Sequence, residues 1–160
     1  MNDKEKLIHS YYREELKEAH RILLWSTSLL IIGVLFFLMG GKILQAAAYP
    51  IVLFTVIQFI SAWIQRARSQ RIIRSAIDEK LISEQVKVMT GVVERFKKFR
   101  TLLLSIFLLG FFLMLIGAFF SKNTFMIGTG IGLVAQAAII LVLDLFGEFR
   151  ANEFLRRIQK

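Results

Sequence analysis

LLLSIFLLGFFLMLIGAFF, Leu102–Phe120, runs for nineteen residues without a charge or a proline. As a helix it would rise about 28 Å, close to the ~30 Å of a bilayer's hydrocarbon core. Three further runs repeat the pattern: Ile22–Met39, Ile43–Ile64 and Phe125–Phe146, none containing Lys or Arg. Buried helices of a water-soluble bundle would carry polar stripes at helical spacing, and these runs have too few. Composition agrees, with 56% hydrophobic residues, 15 Phe and a single Pro in 160 residues. The expected fold is an all-α integral membrane protein with four transmembrane helices arranged as two helical hairpins.

The net charge of +9 raises the question of nucleic acid, and its distribution answers it. Nineteen of the 21 Lys and Arg residues lie before the first run, between the second and third, or after the fourth. Only Lys42 and Lys122 fall in the two short connections. The positive-inside rule then puts both termini and the Gln65–Arg100 connection in the cytoplasm, with both short turns outside. Arg66, Arg68, Arg95, Lys97, Lys98 and Arg100 read as anchors to anionic lipid headgroups. No nucleic-acid partner is expected.

There is no cysteine, hence no disulfide or thiolate metal site. No small-x-small cleavage site follows the first run directly, so that run is read as a retained signal-anchor. Five segments are expected: an N-terminal amphipathic helix (1–21), a first hairpin (22–64), a helical connection (65–100), a second hairpin (101–146) and a basic tail (147–160).

The chain reads as one unit written twice. GVLFFLMG (Gly33–Gly40) aligns with GFFLMLIG (Gly110–Gly117), and Gln58 aligns with Gln136. Two crossings per unit give both copies the same orientation, which predicts a pseudo-two-fold axis along the membrane normal. The short turns Gly40–Lys42 and Ser121–Thr124 force antiparallel neighbours. In the connection, Val86, Met89, Val93 and Phe96 share one helix face. The second membrane helix is expected to continue through Ile72, Ile73 and Ala76, with a break near Asp78–Ser83 and a new start at Ser83–Glu84. Ile8, Tyr11, Tyr12, Leu16 and Ala19 mark the less polar side of the N-terminal helix. Whether these helices lie on the membrane or bundle beneath it is open from the sequence.

Small residues supply the first candidate sites. Gly33 and Gly40 on the first helix, Gly110 and Gly117 on the third, and the Gly128/Gly132 pair on the fourth would let backbones approach closely. Intramembrane polar groups supply the second set. Thr55, Gln58, Ser61 and Gln65 form a stripe on the second helix, and Gln136 is its counterpart on the fourth. An amide in lipid needs a partner, so these groups should meet protein, water or each other. Asp144 is the one acidic residue inside an apolar run, and its neighbours Glu148 and Arg150 suggest an interfacial carboxylate paired with Arg. His9 and His20 belong to no cluster at ligand spacing, so no metal or cofactor is expected. Pro50 reads as a first-turn proline or a mild kink. No nucleophile elbow, phosphate loop or paired carboxylate is visible, and an enzyme is not expected.

GTGIGLVAQA, Gly128–Ala137, with the tail through Glu153, Arg157 and Ile158, resembles the small two-transmembrane domain of bacteria. That family shows a G-W-G-I-G-L-x-x-H-A run in its second helix, followed by a basic tail. Gly128, Gly130, Ile131, Gly132, Leu133 and Ala137 keep the run, while Thr129 stands for the Trp and Gln136 for the His. The resemblance covers mainly the second half and implies a hairpin of the bacterial inner membrane, often an anchor for signalling proteins. It is also what accounts for Gly130, which points away from the Gly128/Gly132 face.

Two functions follow. One is a non-catalytic membrane protein that oligomerises through its small-residue faces and binds or regulates a partner through its cytoplasmic helices. An immunity protein against a membrane-acting toxin is one form of it. The other is a homo-oligomeric channel or permeabilising effector whose path is lined by the intramembrane Gln, Thr and Ser. A small-solute transporter fits less well, because four helices enclose little interior.

Overall fold

The computed structural model describes residues 3–75 and 79–158, without the side chains of residues 3, 4 and 79–81. Four long helices make up the chain: α1 (Asp3–Met39), α2 (Lys42–Arg74), α3 (Glu79–Leu115) and α4 (Thr124–Ile158). All four are long and apolar enough to cross a membrane. Their outer surfaces are apolar, with Trp25, Leu38, Phe112, Phe120 and Phe146 exposed. A surface of that kind has water as a poor solvent and lipid as a good one.

The boundaries expected at residues 21, 100 and 146 fall inside unbroken helices. The charged N-terminal segment and the first apolar run form one 37-residue rod, as do the basic connection and the third run. Neither joint contains Gly or Pro, so nothing interrupts the i→i−4 hydrogen bonds. The connection does break: α2 ends at Arg74, where the Ser75 hydroxyl donates to the Ile72 carbonyl at 2.8 Å, and α3 opens at Glu79. Asp78 and Ala76 lie outside the described residues. The start expected at Ser83 is corrected: α3 begins four residues earlier, because Glu, Lys and Leu at 79–81 are good helix formers. The first-turn reading of Pro50 is corrected as well, since α2 starts at Lys42 and the proline sits in its third turn.

At the turn end, Gly40 and Gly41 join α1 to α2. A single π-helical turn, Ile116–Phe120, closes α3, and the left-handed Lys122 (φ 48°) leads into α4. The Phe125 N–H donates to the Asn123 side chain at 2.9 Å, satisfying one of the free donors at the α4 start.

Side by side, the helices run in the order α1-α2-α4-α3: α1 lies along α2, α3 along α4, and α2 along α4. This is the arrangement that a two-fold axis between α2 and α4 generates. At the opposite, basic end the row closes into a bundle. Ile8 and Tyr12 of α1, Ile72 of α2, Met89 of α3, and Phe154 and Ile158 of α4 form one buried cluster. The charged segments therefore pack on one another.

Candidate functional site

The seam between α2 and α4 brings together Gly128, Gly132, Gln136, Thr55 and Pro50 of the residues singled out above. On α2, Ala46, Ala47, Ala48 and Pro50 are buried and present a low, smooth surface. A methyl group built on Gly128 would lie 2.1 Å from the Ile43 carbonyl oxygen, and one on Gly132 would lie 2.5 Å from both the Ala47 oxygen and Pro50 Cγ. Backbone thus rests on backbone, with glycine Cα hydrogens against α2 carbonyls.

Gly130 faces the other way. A methyl there would meet the Gly110 oxygen at 2.5 Å and the Met114 nitrogen at 2.7 Å, both on α3. The repeat explains why. Gly33 crowds Val52 across the first hairpin, and the aligned pair in the second hairpin is Gly110 against Gly130. The alternating glycines of α4 therefore serve two neighbours, with Gly128 and Gly132 turned to α2 and Gly130 to α3. Gly117 crowds the Ile127 backbone at 2.9 Å in the same way. Gly40 is corrected: it lies beyond α1, its crowding comes from the Phe36 carbonyl and Leu44, and it is a turn residue. Every other named glycine packs against a helix of its own chain, so these faces are not free for a second copy.

One turn past Gly132, the Gln136 amide donates to the Thr55 hydroxyl at 3.3 Å. Both residues are 1% exposed. Among the described residues, Gln136 Oε1 has no hydrogen-bond partner, nor does Gln58 Nε2, Thr129 Oγ1 or Ser26 Oγ. Of the partners left open for the two glutamines, Gln136 meets protein, through Thr55, and not Gln58. The stripe on α2 is corrected too: Ser61 is exposed on the outer surface, and Gln65 leaves the seam to donate to Glu15 of α1 at 3.2 Å. A helix completes a turn in 3.6 residues, so a stripe spaced 3, 3 and 4 wanders across more than one neighbour.

Asp144 is buried, at 7% exposure, and its Oδ2 has no partner. The expected Arg partner is corrected. Arg150 pairs with Glu18 of α1, while Glu148 pairs with Arg100 of α3. Arg100, read as a lipid anchor, thus ties α3 to α4. Of the other basic residues, Arg95, Lys97 and Lys98 are exposed, Arg66 is half-buried, and Arg68 lies beside the Tyr12 phenol.

No known protein family matches this chain, and neither a curated protein nor a solved structure is significantly similar to it. The site has to be read from its own geometry.

The basic-end bundle is the part that sequence reasoning placed least well. Glu15 accepts from both Gln65 and Ser69 (3.0 Å) of α2, and Tyr12 donates to Gln85 of α3. Tyr11 stacks on Phe154 with ring centroids 4.5 Å apart. Burial pushes the Tyr12 phenol up to about 12, with Arg68 opposing, and burial together with Glu15 pushes Tyr11 up further. Glu15 and Ser69 carried no signal in sequence beyond polarity, although the Ala46–Ala48 run did advertise a small-residue face. Among the described residues no group of three His, Cys, Asp or Glu could hold a metal ion.

Proposed function

We propose that the protein is a non-catalytic, multi-pass protein of the bacterial inner membrane that binds or regulates a protein partner through its basic-end bundle. The reading takes the basic end as cytoplasmic, from the charge bias. It takes the bacterial setting from the resemblance of Gly128–Ile158 to the two-transmembrane domain. The observation that carries it is continuity: α1, α3 and α4 each pass from an apolar run into the bundle without a break. A partner that shifts the bundle therefore moves the membrane segments as rigid levers. Toxin immunity, in which such a partner or toxin is held inactive, is one form. Homo-oligomerisation would use the outer apolar faces, because the glycine faces are filled within the chain.

A second reading is favoured by the orphaned polar atoms. Gln58 Nε2, Thr129 Oγ1 and Gln136 Oε1 lie within apolar runs and have no partner. They would be satisfied by water if copies assembled and the seam parted, which is the closed-to-open change of a homo-oligomeric channel or permeabilising effector.

The deciding experiment combines oligomeric state in detergent with ion flux in liposomes, for wild type and for Gln58→Leu with Gln136→Leu. A monomer without flux under pH, voltage or lipid triggers supports the first reading. Flux abolished by the double substitution supports the second. Photo-crosslinkers at Arg13, Lys87 and Asn152 in living cells test the partner directly; crosslinks to copies of the same chain alone would overturn that reading. Orientation is tested by single cysteines at Lys122 and Arg74, introduced into a chain that has none. Labelling of Lys122→Cys alone by an impermeant maleimide is the expected result.

A further inference from the structure

A groove of about 410 Å³ opens on the outer side of the α1–α2 pair, lined by Leu16, Lys17, His20, Arg21, Arg66 and Gln70. Its level is defined by the chain itself. Arg21 immediately precedes the first apolar run, and Arg66 closely follows the second. Seen along each helix, the charged rows continue into exposed apolar ones. Leu24 and Trp25 follow His20 and Arg21 by one turn on α1, and Trp63 precedes Arg66 by three residues on α2. Trp25 is 70% and Trp63 59% exposed, and Phe59, a further turn into the run, is also exposed. Indole side chains at the end of an apolar run are the usual mark of the headgroup level.

Charge accounting gives the sign of the occupant. No carboxylate lines the groove. The nearest acids are already engaged: Glu14 by Lys17, Glu18 by Arg150, and Glu15 by Gln65 and Ser69. Neither Arg21 nor Arg66 is in an ion pair among the described residues. Two guanidiniums and an imidazole lining one groove, at headgroup depth and above an aromatic track, fit a phosphate that carries acyl chains. Guanidinium forks bind phosphate oxygens in pairs, whereas the exposed Lys17–Glu14 pair adds little net field.

We propose that this groove is a binding site for one anionic phospholipid, with its phosphate held by Arg21 and Arg66 and its chains lying against Trp25, Phe59 and Trp63. The proposal rests on the reading of the basic end as facing anionic lipid and adds to it a defined site, distinct from diffuse attraction by Arg95, Lys97 and Lys98. Trp25 and Trp63 are the only tryptophans of the chain, so their fluorescence reports on this groove.

The test is quenching by brominated-acyl phosphatidylglycerol titrated into the detergent-solubilised protein, with brominated phosphatidylcholine as the zwitterionic arm. Saturable quenching by the anionic lipid is expected. Its apparent affinity should fall about tenfold or more in Arg21→Gln with Arg66→Gln, and less than about twofold in Lys97→Gln with Lys98→Gln. Circular dichroism confirms that each variant keeps its helices, and a variant that loses them is replaced by Arg21→Lys with Arg66→Lys, which keeps charge but loses the fork. Equal quenching by both lipids overturns the anionic reading and the site together. Equal loss in the two double variants overturns the site and leaves diffuse attraction standing. Displacement by inorganic phosphate at concentrations matching the lipid overturns the lipid as occupant in favour of a soluble anion.

Discussion

The side chains of Thr55 and Gln136 meet across the α2–α4 seam, 81 positions apart in sequence and 3.3 Å apart in space, while Gln58, the repeat counterpart of Gln136, meets no acceptor. The offset that aligns Gln58 with Gln136 is 78 residues, and the same offset carries Thr55 onto Leu133. The hydroxyl that one half offers is a methyl group in the other. The two halves share both amides and only one of their partners.

This asymmetry predicts unequal costs. Thr55→Val leaves the Gln136 amide wholly unpaired and should lower stability by about 1 to 2 kcal/mol. Gln136→Leu removes an amide that is half satisfied, and it leaves Thr55 able to bond its own helix. Its cost should be smaller, with stabilisation an acceptable outcome. Gln58→Leu should stabilise by roughly 1 kcal/mol, since it removes a buried donor without a partner. Thermal unfolding in one detergent decides the order. A Gln136→Leu loss as large as that of Thr55→Val would mean that Oε1 has an unseen partner, such as water or a second copy.

The four helices were legible because each apolar run is as long as a bilayer is thick, and the hairpins because each turn is only a few residues. Intermediate distances were harder. The joints at Arg21 and Arg100 separate polar from apolar sequence, yet a change of solvent preference does not interrupt backbone hydrogen bonding, so the helices pass through. The neighbour order α1-α2-α4-α3 also left little trace, because a lipid-facing residue and a helix-facing one are both apolar. Only the small residues marked the contacts. Gly128 and Gly132 were readable as a face from their four-residue spacing, whereas Gly130 needed the α3 backbone to be explained. Arg150 looked like the partner of Asp144 by proximity in sequence, but its guanidinium reaches across to Glu18 of α1.

The bundle should lose stability as pH rises through the alkaline range. The phenol pKa values of Tyr11 and Tyr12 are raised in the folded state above the ordinary 10.0, so both stay protonated when folded. A group raised in this way contributes stability that is complete below its unfolded value and is lost as pH rises through its folded one. Melting temperature should therefore hold up to about pH 10 and then fall towards pH 12. Tyr11→Phe with Tyr12→Phe should flatten that fall, at the cost of the Tyr12–Gln85 hydrogen bond at all pH values. An unchanged alkaline slope in the double variant would assign the fall to other groups.

The Glu18–Arg150 pair is one of the few polar ties between α1 and α4 and is partly shielded, with side chains 18% and 31% exposed. Breaking such a pair strands a charge and is worth more than a surface ion pair. Glu18→Arg or Arg150→Glu alone should lower stability by about 1 to 3 kcal/mol, whereas the exchanged double variant should recover at least half of the loss. If the exchange recovers nothing, the two residues are held by packing of their stems.

Glycine substitutions separate crowding from helix propensity. Gly91 lies inside α3 at the basic end with nothing within 4 Å of a built methyl group. Gly91→Ala should therefore stabilise by up to about 1 kcal/mol, the ordinary helix preference for Ala over Gly. Gly132→Ala adds the same methyl where the Ala47 oxygen and Pro50 Cγ stand 2.5 Å away, and neither is the flexible end of a side chain. Helix preference favours that change too, so a net loss of about 1 to 3 kcal/mol can only come from forcing α2 and α4 apart. Gly132→Ile should be worse, and Gly130→Ala should loosen α3 in place of α2. Disulfide trapping between cysteines placed at Thr55 and Gln136, whose side chains already meet across the seam, distinguishes the two: it should slow in Gly132→Ala and persist in Gly130→Ala. A neutral Gly132→Ala would show that the seam is already loose, and the backbone contact described for it would not hold.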